Sequence, residues 1–193
     1  MKKLTKSSII DLKKDGDDLK NIRVQLDWET PENSPYGSFD LDGSVFGLVK
    51  SEIESGYELF DEDYFIYYKH TETENKSIVH SGDDKTGETG ESIVIKLDLI
   101  PIPISHISFF VTIHRAIKKM QNFGMVKNSV IRLWNEDNGE LIAEYKLNES
   151  FSDETAVHFG TIYRGAEGWE FKAIGQGYKR DLADILYSYG VEV

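Results

Sequence analysis

Ile22-Arg23-Val24-Gln25-Leu26-Asp27-Trp28 alternates apolar and polar side chains without a break. Successive side chains of an extended chain point to opposite faces, so this period of two puts Ile22, Val24, Leu26 and Trp28 on one face. A helix would scatter the same residues around its axis, so the stretch reads as a strand with one buried side. Its neighbours repeat the pattern. After a loop rich in Pro, Asn, Ser and Gly (residues 30–37), Phe39, Leu41, Val45, Phe46 and Leu48 mark a second strand. The aromatic run from Tyr64 to Tyr68 and the alternation Ile93, Ile95, Leu97, Leu99 read as two more, the latter stopped by Pro101 and Pro103. Residues 107–113, 126–134, 141–147, 159–163 and 169–174 add further strands, several near the 8–12-residue spacing of sandwiches. Helical spacing is confined to Leu182, Ile185 and Leu186, with Gly190 as a stop, and to a short turn around residues 115–120. The expected fold is all-β: a β-sandwich of two packed sheets with one or two short helices.

The chain has 193 residues, enough for a sizeable single core, and no repeat or composition shift divides it. One domain over residues 1–193 is expected. Residues 1–20, which are charged and carry the turn-like run Lys14-Asp15-Gly16-Asp17-Asp18, read as a partly ordered N-terminal extension. With 22 basic and 34 acidic residues the net charge is -12, which repels nucleic acid and anionic lipid and attracts cations. There is no Cys, so disulfides, thiolate zinc sites and thiol nucleophiles are excluded. No apolar run approaches the roughly 20 residues of a membrane span. The basic start, Met1 to Lys6, lacks the apolar stretch of a secretory signal. The expectation is a cytoplasmic protein with no nucleic-acid partner and no membrane insertion.

Two acidic segments stand out. In Phe39-Asp40-Leu41-Asp42-Gly43 a strand would place the two carboxylates side by side, with Phe39 and Leu41 turned to the core. Like charges at that distance raise one another's pKa, and a divalent cation relieves the conflict. The loop from Gly82 to Ser92 offers Asp83, Asp84, Glu88 and Glu91, several hydroxyls and three glycines. Calcium takes 6–8 oxygen ligands, backbone carbonyls included. For each segment a solvated acidic surface reads as well as a metal site. Gly82 and Gly87 have the glycine spacing of a phosphate-binding loop, but Glu88 and Thr89 stand where Lys and Ser or Thr are required, so a phosphate would be repelled. The loop also fails the EF-hand pattern, with Lys85 and Gly87 at its third and fifth positions. No pair of the five histidines has helical zinc spacing, and no G-x-S-x-G elbow supports a triad.

Taken together and in order, several short strings resemble the TerD family. They are Phe39-Asp40-Leu41-Asp42, His80-Ser81-Gly82-Asp83, Val111-Thr112-Ile113-His114, Gln121-Asn122-Phe123-Gly124, Ile131-Arg132, Phe151-Ser152-Asp153-Glu154-Thr155-Ala156, Phe159-Gly160, Gly175-Gln176-Gly177-Tyr178 and Tyr189-Gly190-Val191. The resemblance runs from about Ile22 to Val193. It implies a two-sheet sandwich, calcium held by the acidic loops, and a non-enzymatic role in bacterial resistance to tellurite and other stresses. Its partners would be other stress-response and tellurium-resistance proteins, in complexes that include membrane-associated ones. Carried over by position, Asp40, Asp42, Asp83 and Glu88 fall on family acidic positions. Asp84 stands where the family usually has Asn, and Glu91 opens a cluster that the family writes Asp-Asp-Glu and this chain writes Glu91-Ser92-Ile93. Trp28-Glu29 replaces the family's Trp-Asp. These departures imply one retained calcium site and a second that is weaker or absent. Some members are described as binding cyclic AMP. A cyclic-nucleotide module would show Arg132 or Arg164 facing a concave site. A metal-assisted hydrolase, the remaining alternative, would show a base such as His80 or His114 beside an open coordination position.

Overall fold

The computed structural model describes residues 2–14, 17–52, 55–147 and 151–191. The N-terminal third holds β1 (Lys2–Lys3), β2 (Ile9–Asp11), β3 (Lys13–Lys14), β4 (Asp17–Asp18), β5 (Asn21–Glu29), β6 (Leu41–Lys50), β7 (Tyr57–Leu59) and β8 (Phe65–Ile66). Then come β9 (Ile78–His80), β10 (Glu91–Lys96), β11 (His106–Ile113) and the single helical turn α1 (Ala116–Lys119). The chain closes with β12 (Lys127–Asn135), β13 (Glu140–Lys146), β14 (Ala156–Gly165), β15 (Gly168–Tyr178) and α2 (Leu182–Ser188). One large sheet runs β1-β13-β12-β5-β10-β9, the other β2-β15-β14-β11-β6-β7 with β8 also on β6, and β3 and β4 form a separate two-stranded ribbon. All pairs are antiparallel except β1 with β13. The all-β sandwich with short helices is the architecture observed.

The inner faces carry the core. Ile22, Val24, Leu26 and Trp28 of β5 are buried, while Arg23, Gln25 and Asp27 face outward, as the alternation requires. The continuous burial of β6 and β11 has a different cause. Their outer face is covered too, because Ile185 and Leu186 of α2 pack on Phe46, Leu48 and Phe110. That helix starts with a capping box between Asp181 and Asp184. It ends as Val191 N–H donates to Leu186 O beside Gly190 at φ +81.

Three expectations change. The N-terminal residues enter both sheets, with β1 on β13, β2 on β15 and Leu12 fully buried. Asp15 and Gly16 of the turn-like run lie outside the described residues. Between Tyr64 and Tyr68 only Phe65 and Ile66 are extended, because Tyr67 and His70 exchange backbone hydrogen bonds of 3.0 Å that reverse the chain. The alternation from Ile93 to Leu99 outruns its strand. Lys96 pairs with Asn21, the first residue of β5; beyond it Leu97 N–H still donates to Lys20 O at 2.8 Å, but the ladder ends there and Leu97–Leu99 tighten into a 3-10 turn that leaves Leu99 exposed. Among the described residues no helix is long and apolar enough to cross a membrane.

Candidate metal centre

One end of the sandwich gathers the start of β6, the start of β10 and the end of β11. Trp28 fixes its floor. The indole is buried, and its Nε1 donates to Phe39 O at 2.9 Å, which holds the chain entering β6. Phe39 and Leu41 are fully buried, so the intervening Asp40 and following Asp42 are turned the other way. The side chains of Asp40, Asp42 and Asp83 offer oxygens that lie within 4.8 Å of one another. Two segments about forty residues apart in sequence therefore deliver a three-carboxylate group.

The electrostatics of that group are unfavourable as it stands. Asp42 is 4% exposed, and burial, reinforced by Asp40, Glu91 and Asp83, pushes its carboxyl up to about 8. Asp40 is raised as well, mainly by burial, against the lowering influence of His114. Asp40 Oδ1 is buried without a hydrogen-bond partner. Such an orphaned acceptor costs free energy unless something neutralises it. His114 comes nearest, with Nδ1 3.6 Å from Asp42 Oδ2, and its backbone N–H donates to Asp40 O at 2.8 Å. A hard, oxygen-seeking cation suits an all-carboxylate donor set of this kind, and calcium tolerates the irregular geometry. The residues fit the ion.

Of the remaining candidates, Asp84 and Glu91 brace the loop instead. Asp84 is not among the three converging carboxylates and organises its own loop. Oδ1 accepts from Thr86 N–H, Thr86 Oγ1 and Gly87 N–H, and Oδ2 from Thr89 N–H, Thr89 Oγ1 and Gly90 N–H, all at 2.7–3.0 Å. These bonds hold its carboxyl far below the usual range despite the opposing effect of burial. Gly87 (φ +80) and Gly90 (φ +69) let the loop close on β5. A Cβ at Gly87 would strike the Trp28 carbonyl and indole, and one at Gly90 would lie 2.6 Å from Leu26 O. Glu91 is a buried brace between sheets, with Oε2 accepting from Gly43 N–H (2.8 Å) and Oε1 from Asp84 N–H (3.3 Å). His80 backs it. Nδ1 accepts from Gly82 N–H at 2.9 Å, so Nε2 carries the proton, 3.4 Å from Glu91 Oε2. Glu88 is exposed.

Asp84→Ala is therefore expected to weaken calcium affinity by at least about tenfold although Asp84 is outside the trio, because at ~1 kcal/mol per lost bond the loop carrying Asp83 comes loose. Asp84→Asn, which retains one acceptor oxygen, should lose less. Calorimetric titration of both checks this; equal affinity in Asp84→Ala and the parent would show that the loop does not position Asp83.

Neither His80 nor Glu91 is recognisable as a brace in the sequence, since their partners are 11 and 48 residues away. His114 stands in the string Val111-Thr112-Ile113-His114 and among the candidate bases, but nothing in the sequence marks it as the neighbour of Asp42. The arginines that a cyclic-nucleotide site would need are committed elsewhere. Arg132 pairs with Asp27 (2.6 Å) and Glu144 (3.1 Å) on the outer face of its sheet. Arg164 lies 4.2 Å over Trp169 and donates to the carbonyls of Ile104, Ile100 and Pro101.

Comparison with known proteins agrees with this architecture. The family model described as the TerD domain matches residues 1–189. The tellurium resistance protein TerD of Serratia marcescens is 40% identical over 191 residues, covering 97% of this chain and 96% of that protein. General stress protein 16U of Bacillus subtilis (strain 168) is 39% identical over 193 residues, covering 98% and 97%. The crystal structure of a homologue of telluride resistance protein (TerD) from Streptomyces coelicolor A3(2) superposes with a TM-score of 0.72 at 20% identity, covering 91% of this chain and 99% of that one. The family match includes the N-terminal residues that enter both sheets.

Proposed function

The chain belongs to the TerD family of tellurium-resistance and stress-response proteins, and from that premise we propose that it is a cytoplasmic calcium-binding protein that acts through partner proteins rather than by catalysis. Asp40, Asp42 and Asp83 hold the ion. The observation that carries this reading is the buried, unpartnered Asp40 Oδ1 beside a carboxyl as strongly perturbed as Asp42. Bound there, the ion supplies positive charge to oxygens that burial has stripped of water. The residues do the rest: Trp28 fixes the entry to β6, Asp84 shapes the loop that presents Asp83, and Glu91 joins that loop to β6 through Gly43. Binding would thus set the relative position of two loops on different sheets, which is what a partner-docking surface requires.

Calorimetric titration of the calcium-free protein tests the reading. One calcium event is expected, with magnesium weaker because it insists on octahedral geometry and retains its waters. Asp83→Ala, at a surface position where folding tolerates the change, should remove most of the heat. Two equally tight events would overturn the single-site assignment, and an unchanged titration in Asp83→Ala would move the site elsewhere.

A further inference from the structure

The chain is strongly acidic, yet it contains no Asp or Glu from Leu99 to Asn135. Within that stretch, the turn beside the carboxylate trio carries Arg115, Lys118 and Lys119 together with two apolar side chains aimed at solvent. Ile117 is 67% exposed and Met120 71%. A single exposed apolar side chain is ordinary, and Ile102 is more exposed still; what marks this turn is that two such side chains share it with three cations. The turn is firmly held. Its ends, Ala116 and Gln121, are buried. Gln121 Nε2 donates to Tyr36 O (2.9 Å) and Ser38 O (3.0 Å), and the adjoining His114 N–H donates to Asp40 O. The backbone is left-handed at Arg115 (φ 55) and again at Met120 (φ 54), an unfavourable conformation for side chains of this size. The two reversals bracket α1 and keep Ile117 and Met120 outside the core. Tyr36, 41% exposed, stands on the segment that Gln121 grips.

We propose that α1 and its flanks dock on an anionic phospholipid surface when the neighbouring carboxylates hold their cation. The inference rests on the calcium reading above for its control and on α1 for its surface. Isolated apolar side chains on a narrow turn suit a deformable acyl boundary, and the ring of lysine and arginine suits anionic headgroups. The rest of the protein is repelled by such a surface, so binding is confined to this corner. A divalent ion held by Asp40, Asp42 and Asp83 adds positive charge beside Arg115, Lys118 and Lys119 and offsets the carboxylates that would repel an anionic surface. Attraction to the headgroups therefore follows occupancy of the site.

Sedimentation with vesicles of mixed phosphatidylcholine and phosphatidylglycerol tests this with the full chain. The protein should pellet with calcium, and stay in solution with chelator or with phosphatidylcholine alone. Lys118→Ala and Lys119→Ala should each weaken binding about fivefold. Ile117→Asn with Met120→Asn should abolish pelleting while leaving the calorimetric calcium titration unchanged; Asn accepts the left-handed backbone at 120, so folding is preserved. A parent protein that binds calcium but never pellets overturns the proposal and leaves the calcium site standing. Pelleting that the Asn variant retains overturns it as well, since calcium bridging alone would then explain the adhesion. So does capture by polyglutamate in place of vesicles. If no calcium heat is found, the earlier reading fails separately, and pelleting that is still lost in the Asn variant supports the docking surface without its control.

Discussion

In the calcium-free protein at pH 8, Asp42→Asn is expected to raise the melting temperature by several degrees and to abolish the further rise that calcium gives the parent. Asp42 is buried among carboxylates, and its carboxyl is pushed up to about 8 from an ordinary 3.8. Between pH 4 and 8 the folded chain therefore keeps a proton that the unfolded chain has released. Where the native state binds more protons, stability falls as pH rises. The parent should thus lose stability through that window and level off above it. Each pKa unit is worth about 1.4 kcal/mol, so a shift of about four units sets an upper bound of roughly 6 kcal/mol. At roughly 2–4 °C per kcal/mol for a chain of this size, differential scanning resolves it easily.

His158 acts in the opposite sense. Burial lowers it to about 4, so its contribution weakens folding as pH falls from 6.5 toward 4. The informative quantity is the difference between Asp42→Asn and the parent, in which His158 cancels. Calcium at a hundredfold excess over Kd should stabilise the parent by about 2.7 kcal/mol and the variant by almost nothing. A calcium-free Asp42→Asn no more stable than the parent at pH 8 would mean that Asp42 is not the strained group described above.

Trp28→Ala is expected to cost about 3–5 kcal/mol of stability, the usual penalty for emptying a large buried site. Urea denaturation should show the loss with an unchanged slope. The variant should also lose calcium affinity, because three features of the candidate metal centre lean on the indole. Its Nε1 holds Phe39 O ahead of Asp40, its ring lies against Gly87 in the loop that presents Asp83, and its burial closes the floor beneath both. Trp28→Phe separates packing from hydrogen bonding. It keeps most of the ring and leaves Phe39 O unpaired, a loss of about 1–3 kcal/mol. Calcium binding by Trp28→Ala at parental strength would show that the two acidic segments meet without this support.

The strands and their inward faces are legible in the sequence because alternation is local: Ile22, Val24, Leu26 and Trp28 declare a buried side without knowledge of any partner. The same locality explains the misread ends. Nothing between Leu97 and Leu99 records that β5 has run out, and nothing in Tyr64-Phe65-Ile66-Tyr67-Tyr68 records the reversal at His70. Leu12 inside the core is equally invisible, since a charged N-terminal stretch carries only a weak pattern of its own.

The sequence by itself determined the sandwich, the family and the two acidic segments, because periodicity and short motifs reside in neighbouring residues. Which carboxylates converge was decided only by the tertiary structure. Asp40, Asp42 and Asp83 meet because β6 and β10 lie on opposite sheets joined through Glu91 and Gly43. Asp84, of the same chemical type and next in sequence to Asp83, is instead consumed by its own loop. A carboxylate's role depends on which donors reach its oxygens, and those donors are brought there by the fold.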